Sequence, residues 1–265
     1  MQGLAGGMRP GAEERSKSVP DVLGYRAKMG VLGPSTNTIV EPDYYMMAPP
    51  GVTLHYSRIY IPDGRLGSDD EFVRLMEQIR ANLDQAIVEV KTAEPDYLVM
   101  GMSSETFWDG AEGNARFTRH VEELAGLRVA TGAAACHRAL QVLGARRLGV
   151  ITPYQPVADA QVRRYFTDQG YDVVALEGLR CPSAVAIAHV TEDELRAAIA
   201  RVNLPGVEAI VQCGTNLSMV RLADAAEREL GKPVIAINAA TFWYALRDCG
   251  IADQQPGFGC LLRDY

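Results

Sequence analysis

The chain has 265 residues, of which 48% are hydrophobic and 22% are charged, as is typical of a soluble globular protein with one large or two small domains. Its formal net charge of −7 argues against non-specific binding to nucleic acid or to an anionic membrane. No apolar run approaches the roughly 20 residues that span a bilayer, and the N-terminal residues lack the pattern of an export signal.

The five cysteines and four histidines are scattered along the chain. None of them has the spacing of a metal-ligand set, so we expect no structural zinc site. Because no export signal is evident, the cysteines are interpreted as reduced thiols, and a cytoplasmic location is predicted.

Residues 1–24 are rich in Gly, Pro, Ser and charge, and we interpret them as a flexible or loosely docked leader. After the leader, apolar strand-like runs alternate with segments of helical periodicity. The predicted strands are 28–32, 51–60, 97–100, 147–151, 172–176, 209–212 and 233–237. The predicted helices are one that starts near residue 41, then 69–90, 112–125, 133–143, 157–169, 191–202, 222–230 and 240–249. Thr191 and Glu194 predict a capping box.

The second half of the chain repeats the order of elements in the first half. The segment Met-Gly-Val-Leu-Gly-Pro, which starts at Met29, resembles Leu-Gly-Val-Ile-Thr-Pro, which starts at Leu148. Strands that alternate with helices predict parallel sheets. We therefore predict an α/β fold of two similar domains related by a pseudo-twofold axis, with the active site in the cleft between them. The first spans 25–140, open to packing by the C-terminal helix, and the second spans 141–265.

Small polar side chains follow two of the predicted strands. Residues 101–104 are Gly-Met-Ser-Ser, and residues 213–216 are Cys-Gly-Thr-Asn. Open α/β sheets bind ligands at the carboxyl ends of their strands. A thiol there can move a proton, and hydroxyls and turn amides can hold an anion. The plainer interpretation, that Cys213 is a small core residue, stays open, although the duplicated context favours the chemical one.

Two further turns carry groups that suit an anion. Residues 33–38 (Gly-Pro-Ser-Thr-Asn-Thr) offer backbone N–H groups and hydroxyls, although a helix-capping turn has the same composition. Tyr154 can donate its phenol hydrogen to a carboxylate or can simply pack at an interface. Neither a P-loop nor a complete Gly-x-Gly-x-x-Gly pattern follows the first strand, so no nucleotide cofactor is expected. No spacing indicates a Cys-His hydrolase dyad.

Taken together, these segments resemble the aspartate/glutamate racemase superfamily, and within it the maleate cis-trans isomerases and arylmalonate decarboxylases. The resemblance runs from about Lys28 to Leu262. It is carried by residues 33–38 with Glu41-Pro42 and Pro49-Pro-Gly51, by residues 144–154, and by residues 231–235. It implies two α/β domains, no cofactor or metal, and a small carboxylic or dicarboxylic acid as substrate.

The resemblance also implies roles for individual residues. Racemases and isomerases of this kind have two facing cysteines, whereas here the first position is Ser104 and the second is Cys213. A single cysteine is similar to the arylmalonate decarboxylases. In the implied mechanism, one carboxylate is held by hydrogen bonds, the other leaves as CO₂, and Cys213 protonates the enediolate. Asn37 favours the isomerases instead, in which the equivalent side chain holds a second carboxylate.

The prediction is therefore a cofactor-independent lyase of the arylmalonate decarboxylase type. The alternatives are a maleate isomerase-like or racemase-like enzyme that uses Cys213, and a non-catalytic carboxylate-binding homologue. The predicted catalytic residues are Cys213 and Ser104, and the predicted substrate-binding residues are Ser103, Tyr154, Gly214, Thr215, Asn37 and Pro34. The oligomeric state stays open, with a homo-oligomer among the options.

Overall fold

The computed structural model describes residues 21–265 as an α/β protein with two four-stranded sheets. The strands are β1 (Ala27–Pro34), β2 (Val52–Ile59), β3 (Tyr97–Met100), β4 (Val129–Ala130), β5 (Arg147–Thr152), β6 (Asp172–Gly178), β7 (Ala209–Gln212) and β8 (Val234–Ala236). The helices are α1 (Val40–Met47), α2 (Asp69–Lys91), α3 (Ser104–Phe107), α4 (Gly110–Ala125), α5 (Gly132–Leu143), α6 (Pro156–Asp168), α7 (Glu192–Val202), α8 (Val220–Leu230), α9 (Ile237–Asp248) and α10 (Cys260–Asp264). Most of the predicted leader, residues 1–20, lies outside the described residues.

The two sheets have the same internal order. The first is β2-β1-β3-β4 and the second is β6-β5-β7-β8, and every strand pair in both sheets is parallel. This equivalence confirms the predicted α/β fold with two similar parallel sheets. The exact division of the chain into two lobes near residue 140 stays a prediction.

The central strands are buried because helices cover both faces of each parallel sheet. All four residues of β3, and all four of β7, are buried, and both strands consist of an uninterrupted apolar or neutral run. The first sheet also receives a helix from the second half of the chain. Helix α9 packs against β3, β4 and α5 and so covers part of this sheet.

Helix α2 illustrates how the sequence sets both the ends and the orientation of an element. Ser68 lies at its N-terminus, where the Oγ accepts a hydrogen bond from the Glu71 amide at 3.2 Å. The helix buries one stripe of side chains, and this stripe includes Phe72 and Ile79 at the candidate site described below. At α7, the predicted capping box between Thr191 and Glu194 is present, with both of its reciprocal hydrogen bonds.

Four short elements were not predicted. Strand β4 has only two residues, helix α3 has four, a 3-10 helix covers Ala186–His189, and α10 follows a glycine-rich turn near the C-terminus. Helix α9 also begins three residues earlier than predicted, because β8 ends at Ala236 and the chain turns directly into the helix. Short elements such as these carry too few residues for a periodic pattern.

Within residues 21–265, no helix combines the length and apolar character that crossing a membrane requires. Over the same range, no group of three or more His, Cys, Asp and Glu side chains is arranged to hold a metal ion.

Candidate active site

The carboxyl ends of β1, β3, β5 and β7 meet around a cavity of about 50 Å³. By volume, the cavity accommodates only a few water-sized groups. Its polar lining consists of Thr36, Asn37, Ser103, Ser104, Tyr154, Thr215 and Asn216. Its apolar lining includes Ile61, Leu66, Phe72, Leu75, Ile79 and Ile187. The lining therefore has a hydrogen-bonding side and a hydrocarbon side, and it includes no charged side chain from the described part of the chain.

Ser103 is the centre of the polar side. Its Oγ lies 2.7 Å from the Tyr154 hydroxyl and accepts a hydrogen bond from the Thr215 amide at 3.3 Å. These contacts join the end of β3 to the turns after β5 and β7. A hydroxyl, a phenol and a backbone N–H thus converge, which is the arrangement that stabilises a carboxylate or an enediolate oxygen.

Tyr154 remains a hydrogen-bond donor over the physiological pH range. Burial raises the pKa of its phenol well above 10, although the hydrogen bond with Ser103 opposes this effect. The ring of Phe72 packs edge-on against it at a centroid distance of 5.4 Å. Burial and aromatic packing therefore hold a neutral phenol at the cavity wall.

The buried carboxylate of Asp159 helps to hold the turn that carries Tyr154. The Thr152 and Arg180 side chains both donate to the carboxylate of Asp159, and the Arg180 guanidinium also donates to the Tyr154 carbonyl. The Thr152 hydroxyl in turn accepts from the Tyr154 amide at 3.1 Å. Burial raises the pKa of Asp159, and the hydrogen bonds from Thr152 and Arg180 oppose that rise. Sequence reasoning missed both Asp159 and Arg180, because they come together only through the fold.

Asn37 is strongly engaged within the protein. Its Oδ1 accepts from the amides of Ile39 and Val40 at 3.0 and 2.9 Å, and its Nδ2 donates to the Thr215 hydroxyl at 3.0 Å. The first set of contacts holds the start of α1, and the second links the two halves of the chain. Asn37 therefore combines a helix-capping role with a position in the cavity lining.

The backbone of Thr215 is also held by a buried side chain. Its carbonyl accepts a hydrogen bond from Asn238 Nδ2 at 2.9 Å, and the same nitrogen donates to Asp43 Oδ2 at 2.7 Å. Both Asp43 and Asn238 are buried. Burial raises the pKa of Asp43 to about 6, and the Asn238 hydrogen bond opposes that rise.

Cys213 is the one predicted site residue that the structure leaves outside the cavity lining. Its side chain is fully buried, and burial raises the pKa of the thiol well above its ordinary value, with smaller contributions from Cys136 and Asp159. The next residue, Gly214, lines the cavity, and a Cβ on it would lie 2.6 Å from Pro153 Cδ. The catalytic role of Cys213 stays a prediction.

The other seven predicted residues all line the cavity. They are Pro34, Asn37, Ser103, Ser104, Tyr154, Gly214 and Thr215. Sequence reasoning did not assign the apolar wall from α2, although Leu75 and Ile79 have the spacing of one helix face. Periodicity identifies such a face without showing that part of it borders a cavity.

This combination of fold and cavity defines an α/β protein with an uncharged cavity, lined by hydroxyl and amide groups on one side, between two sheets. A family model described as arylmalonate decarboxylase matches residues 70–262. That match covers more than half of the chain, and the protein belongs to this family.

Relatives with established names fall into two groups. A maleate isomerase from Pseudomonas putida is 25% identical over 244 residues, which cover 89% of this chain and 96% of the relative. An arylmalonate decarboxylase from Bordetella bronchiseptica is 27% identical over 237 residues, which cover 86% and 96%. Among solved structures, a Nocardia farcinica maleate cis-trans isomerase with a covalently bound succinylcysteine intermediate has a TM-score of 0.81 at 23% identity, over 90% of this chain and 98% of that one. An arylmalonate decarboxylase structure has a TM-score of 0.70 at 21% identity, over 89% and 98%.

Proposed function

We propose that this protein is a cofactor-independent decarboxylase that acts on a malonate-type diacid with an apolar substituent. The observation that carries the proposal is the division of one small cavity into a side of neutral hydrogen-bond donors and a side of hydrocarbon. Family membership supports the general reaction class, and relatives of this family act on small carboxylic acids by name.

The first carboxylate of the diacid is held by Ser103, Tyr154 and the Thr215 amide. The second carboxylate faces the apolar wall, where it loses the solvation that stabilises its charge. The bond from this carboxylate to the α-carbon then breaks, CO₂ leaves as a neutral molecule, and the electron pair stays on the substrate as an enediolate. The donors that held the first carboxylate stabilise this enediolate, and each contributes roughly 3 kcal/mol in comparable sites.

The reaction is completed by a proton delivered to the α-carbon. We propose Cys213, the donor that the sequence predicts, for this step, because a thiol is ordinarily a stronger acid than a phenol and the Tyr154 phenol must stay neutral to hold the carboxylate. The thiol is fully buried and does not line the cavity, but it lies close enough to Tyr154 for its charge to raise the pKa of the phenol. The thiolate left by the transfer regains a proton from water when the product leaves.

Maleate isomerisation is the second candidate. It is favoured by the maleate isomerases among the relatives and by Asn37 in the lining. The Nocardia structure carries a succinylcysteine, which forms by addition of a thiol to the substrate. That addition needs a thiolate, and burial raises the pKa of the Cys213 thiol well above its ordinary value, whereas the serine hydroxyls of the lining are far weaker nucleophiles. Decarboxylation needs no nucleophile, so the geometry favours it.

The two candidates differ in their products. Phenylmalonate should release CO₂ and maleate should give no fumarate, measured by mass spectrometry and by proton NMR. Formation of fumarate without CO₂ would reverse the order of the two candidates. Absence of turnover with both acids, combined with measurable binding, would support the non-catalytic homologue.

Three variants test the roles of Tyr154 and Cys213. Tyr154→Phe should lower kcat about 100-fold to 1000-fold, because it removes one oxyanion donor. Tyr165→Phe removes the same hydroxyl from a buried tyrosine outside the cavity lining and should leave kcat unchanged. Cys213→Ala should lose most of its turnover and still bind phenylmalonate. Unchanged turnover in Cys213→Ala, with folding intact by circular dichroism, would refute the thiol as the proton donor.

A further inference from the structure

A second cavity, of about 330 Å³, adjoins the candidate site. The two cavities share Leu66, Leu75 and Ala184 in their linings. We call the second cavity the vestibule. Its polar lining is formed by Arg65, Glu71, Arg74 and Gln78. The shared apolar residues make the vestibule a continuation of the hydrocarbon side of the site.

The vestibule carries an excess of positive charge. Arg65 and Arg74 both line it, and neither forms an ion pair with any acidic residue between positions 21 and 265. Glu71 is the one acidic side chain in the lining, and its carboxylate accepts a hydrogen bond from the Gly67 amide at 2.7 Å. Two guanidinium groups therefore remain available, and their planar forks are suited to a carboxylate.

Both arginines belong to backbone segments that are held by hydrogen bonds. Arg65 forms an antiparallel bridge with Ser183, and the next amide, that of Leu66, donates to the Pro182 carbonyl at 2.7 Å. The Leu66 carbonyl accepts from the Gln155 side chain. Arg74 lies on α2, one residue before Leu75 of the shared wall. The positions of the two backbone segments are thus tied to the site itself.

The site and the vestibule complement each other chemically. The site has room for a few water-sized groups and has no charged lining, which suits the reacting carboxyl groups of the proposed substrate. A guanidinium directly beside the departing carboxylate would stabilise its charge before reaction and slow the loss of CO₂. Cations beyond an apolar wall avoid this cost, and the binding energy of a remote group can support the reaction at the centre.

We infer that the vestibule is a subsite for a distal anionic group, and that the substrate is a malonate-type acid whose substituent crosses the Leu66 and Leu75 wall and ends in a carboxylate. This inference rests on the proposed function. The charge-assisted hydrogen bonds to Arg65 and Arg74 would then select such an acid over one with a neutral substituent.

Steady-state decarboxylation of phenylmalonate and 4-carboxyphenylmalonate, followed by CO₂ release, tests the inference. The wild-type protein should have a kcat/KM about 10-fold to 100-fold higher for the carboxylated probe at low salt, the range for charge-assisted hydrogen bonds. The double substitution Arg65→Gln with Arg74→Gln should abolish this preference and leave the kcat/KM for phenylmalonate unchanged. Arg119→Gln, which removes an exposed charge from α4, serves as the control and should retain the preference.

Two outcomes would overturn the subsite, and they are distinguishable from failure of the proposed function. If phenylmalonate is decarboxylated but the carboxylated probe has no higher kcat/KM, the vestibule inference alone is wrong. The same holds if the double variant lowers kcat/KM equally for both probes. If the wild-type protein neither binds nor decarboxylates phenylmalonate, the proposed function fails and the inference fails with it.

Discussion

Replacement of Asp43 by asparagine should stabilise the protein at neutral and alkaline pH. The carboxyl group is buried in α1, where burial raises its pKa from an ordinary value of 3.8 to about 6. A raised pKa means that the folded state holds the proton more tightly than the unfolded state. The folded protein is therefore penalised as the pH rises through this interval, because Asp43 must lose its proton inside the fold.

The size of the effect follows from the interval between the two pKa values. At about 1.4 kcal/mol per pH unit, an interval of roughly 2 pH units costs the wild-type protein about 3 kcal/mol above pH 6. Asp43→Asn removes this cost and keeps an oxygen that can accept from Asn238 Nδ2. The variant should thus be more stable than wild type by about 1 kcal/mol near pH 4.5 and by about 3 kcal/mol at pH 8.

Urea unfolding of both proteins at several pH values between 4.5 and 8 measures this difference. Asp172→Asn is the matched control, because it removes the same charge where the side chain is 65% exposed and pairs with Arg147 only at 3.5 Å. We expect the control to change the free energy of unfolding by less than about 1 kcal/mol. An Asp43→Asn variant that is no more stable than wild type at pH 8, or a difference that does not vary with pH, would refute the reasoning.

Three other substitutions test local features of the fold. Thr191→Ala removes the α7 capping box and should lower the free energy of unfolding in urea by about 0.5–2 kcal/mol, whereas Thr191→Ser should change it little. Equal losses in the two variants would contradict the capping role. Gly214→Ala should lower the free energy of unfolding by about 3 kcal/mol, because the glycine has a φ of 135° and a Cβ would lie 2.6 Å from Pro153 Cδ. A thermal midpoint unchanged from wild type would show that the turn adjusts to the added methyl group without strain. Cys213→Ser should destabilise the protein by about 1–3 kcal/mol more than Cys213→Ala, because it buries a hydroxyl; similar midpoints would mean that the side chain finds a polar partner.

Much of the architecture was predictable because the buried strands of parallel sheets produce a clear pattern of short apolar runs in the sequence. The strands β3 and β7 are short apolar runs that end in small polar residues, and both the runs and their ends were recognised. Repetition of the pattern predicted two equivalent sheets, and the convergence of Ser103 with Tyr154 follows from placing strand ends together. The two-residue strand β4 has no such sequence pattern, because it is defined by its pairing with β3 more than by its own composition.

The surroundings of the site show where sequence reasoning reaches its limit. Residue type did not show that Cys213 would be fully buried while its neighbour Gly214 lines the cavity. The buried partners of the site were equally hidden. Asp43 and Asn238 are 195 residues apart in sequence, so only the folded chain brings them beneath Thr215.

The hydrogen bonds around the cavity also have a consequence for the evolution of this protein. Ser103 with Tyr154, and Asn37 with Thr215, connect the first half of the chain to the second. The groups that would recognise a ligand therefore also hold the two halves of the chain together. A substitution that adapts the polar side to a different acid must at the same time preserve these hydrogen bonds. New specificity is consequently easier to acquire at the hydrocarbon side, where side chains can change size without breaking the hydrogen bonds between the halves.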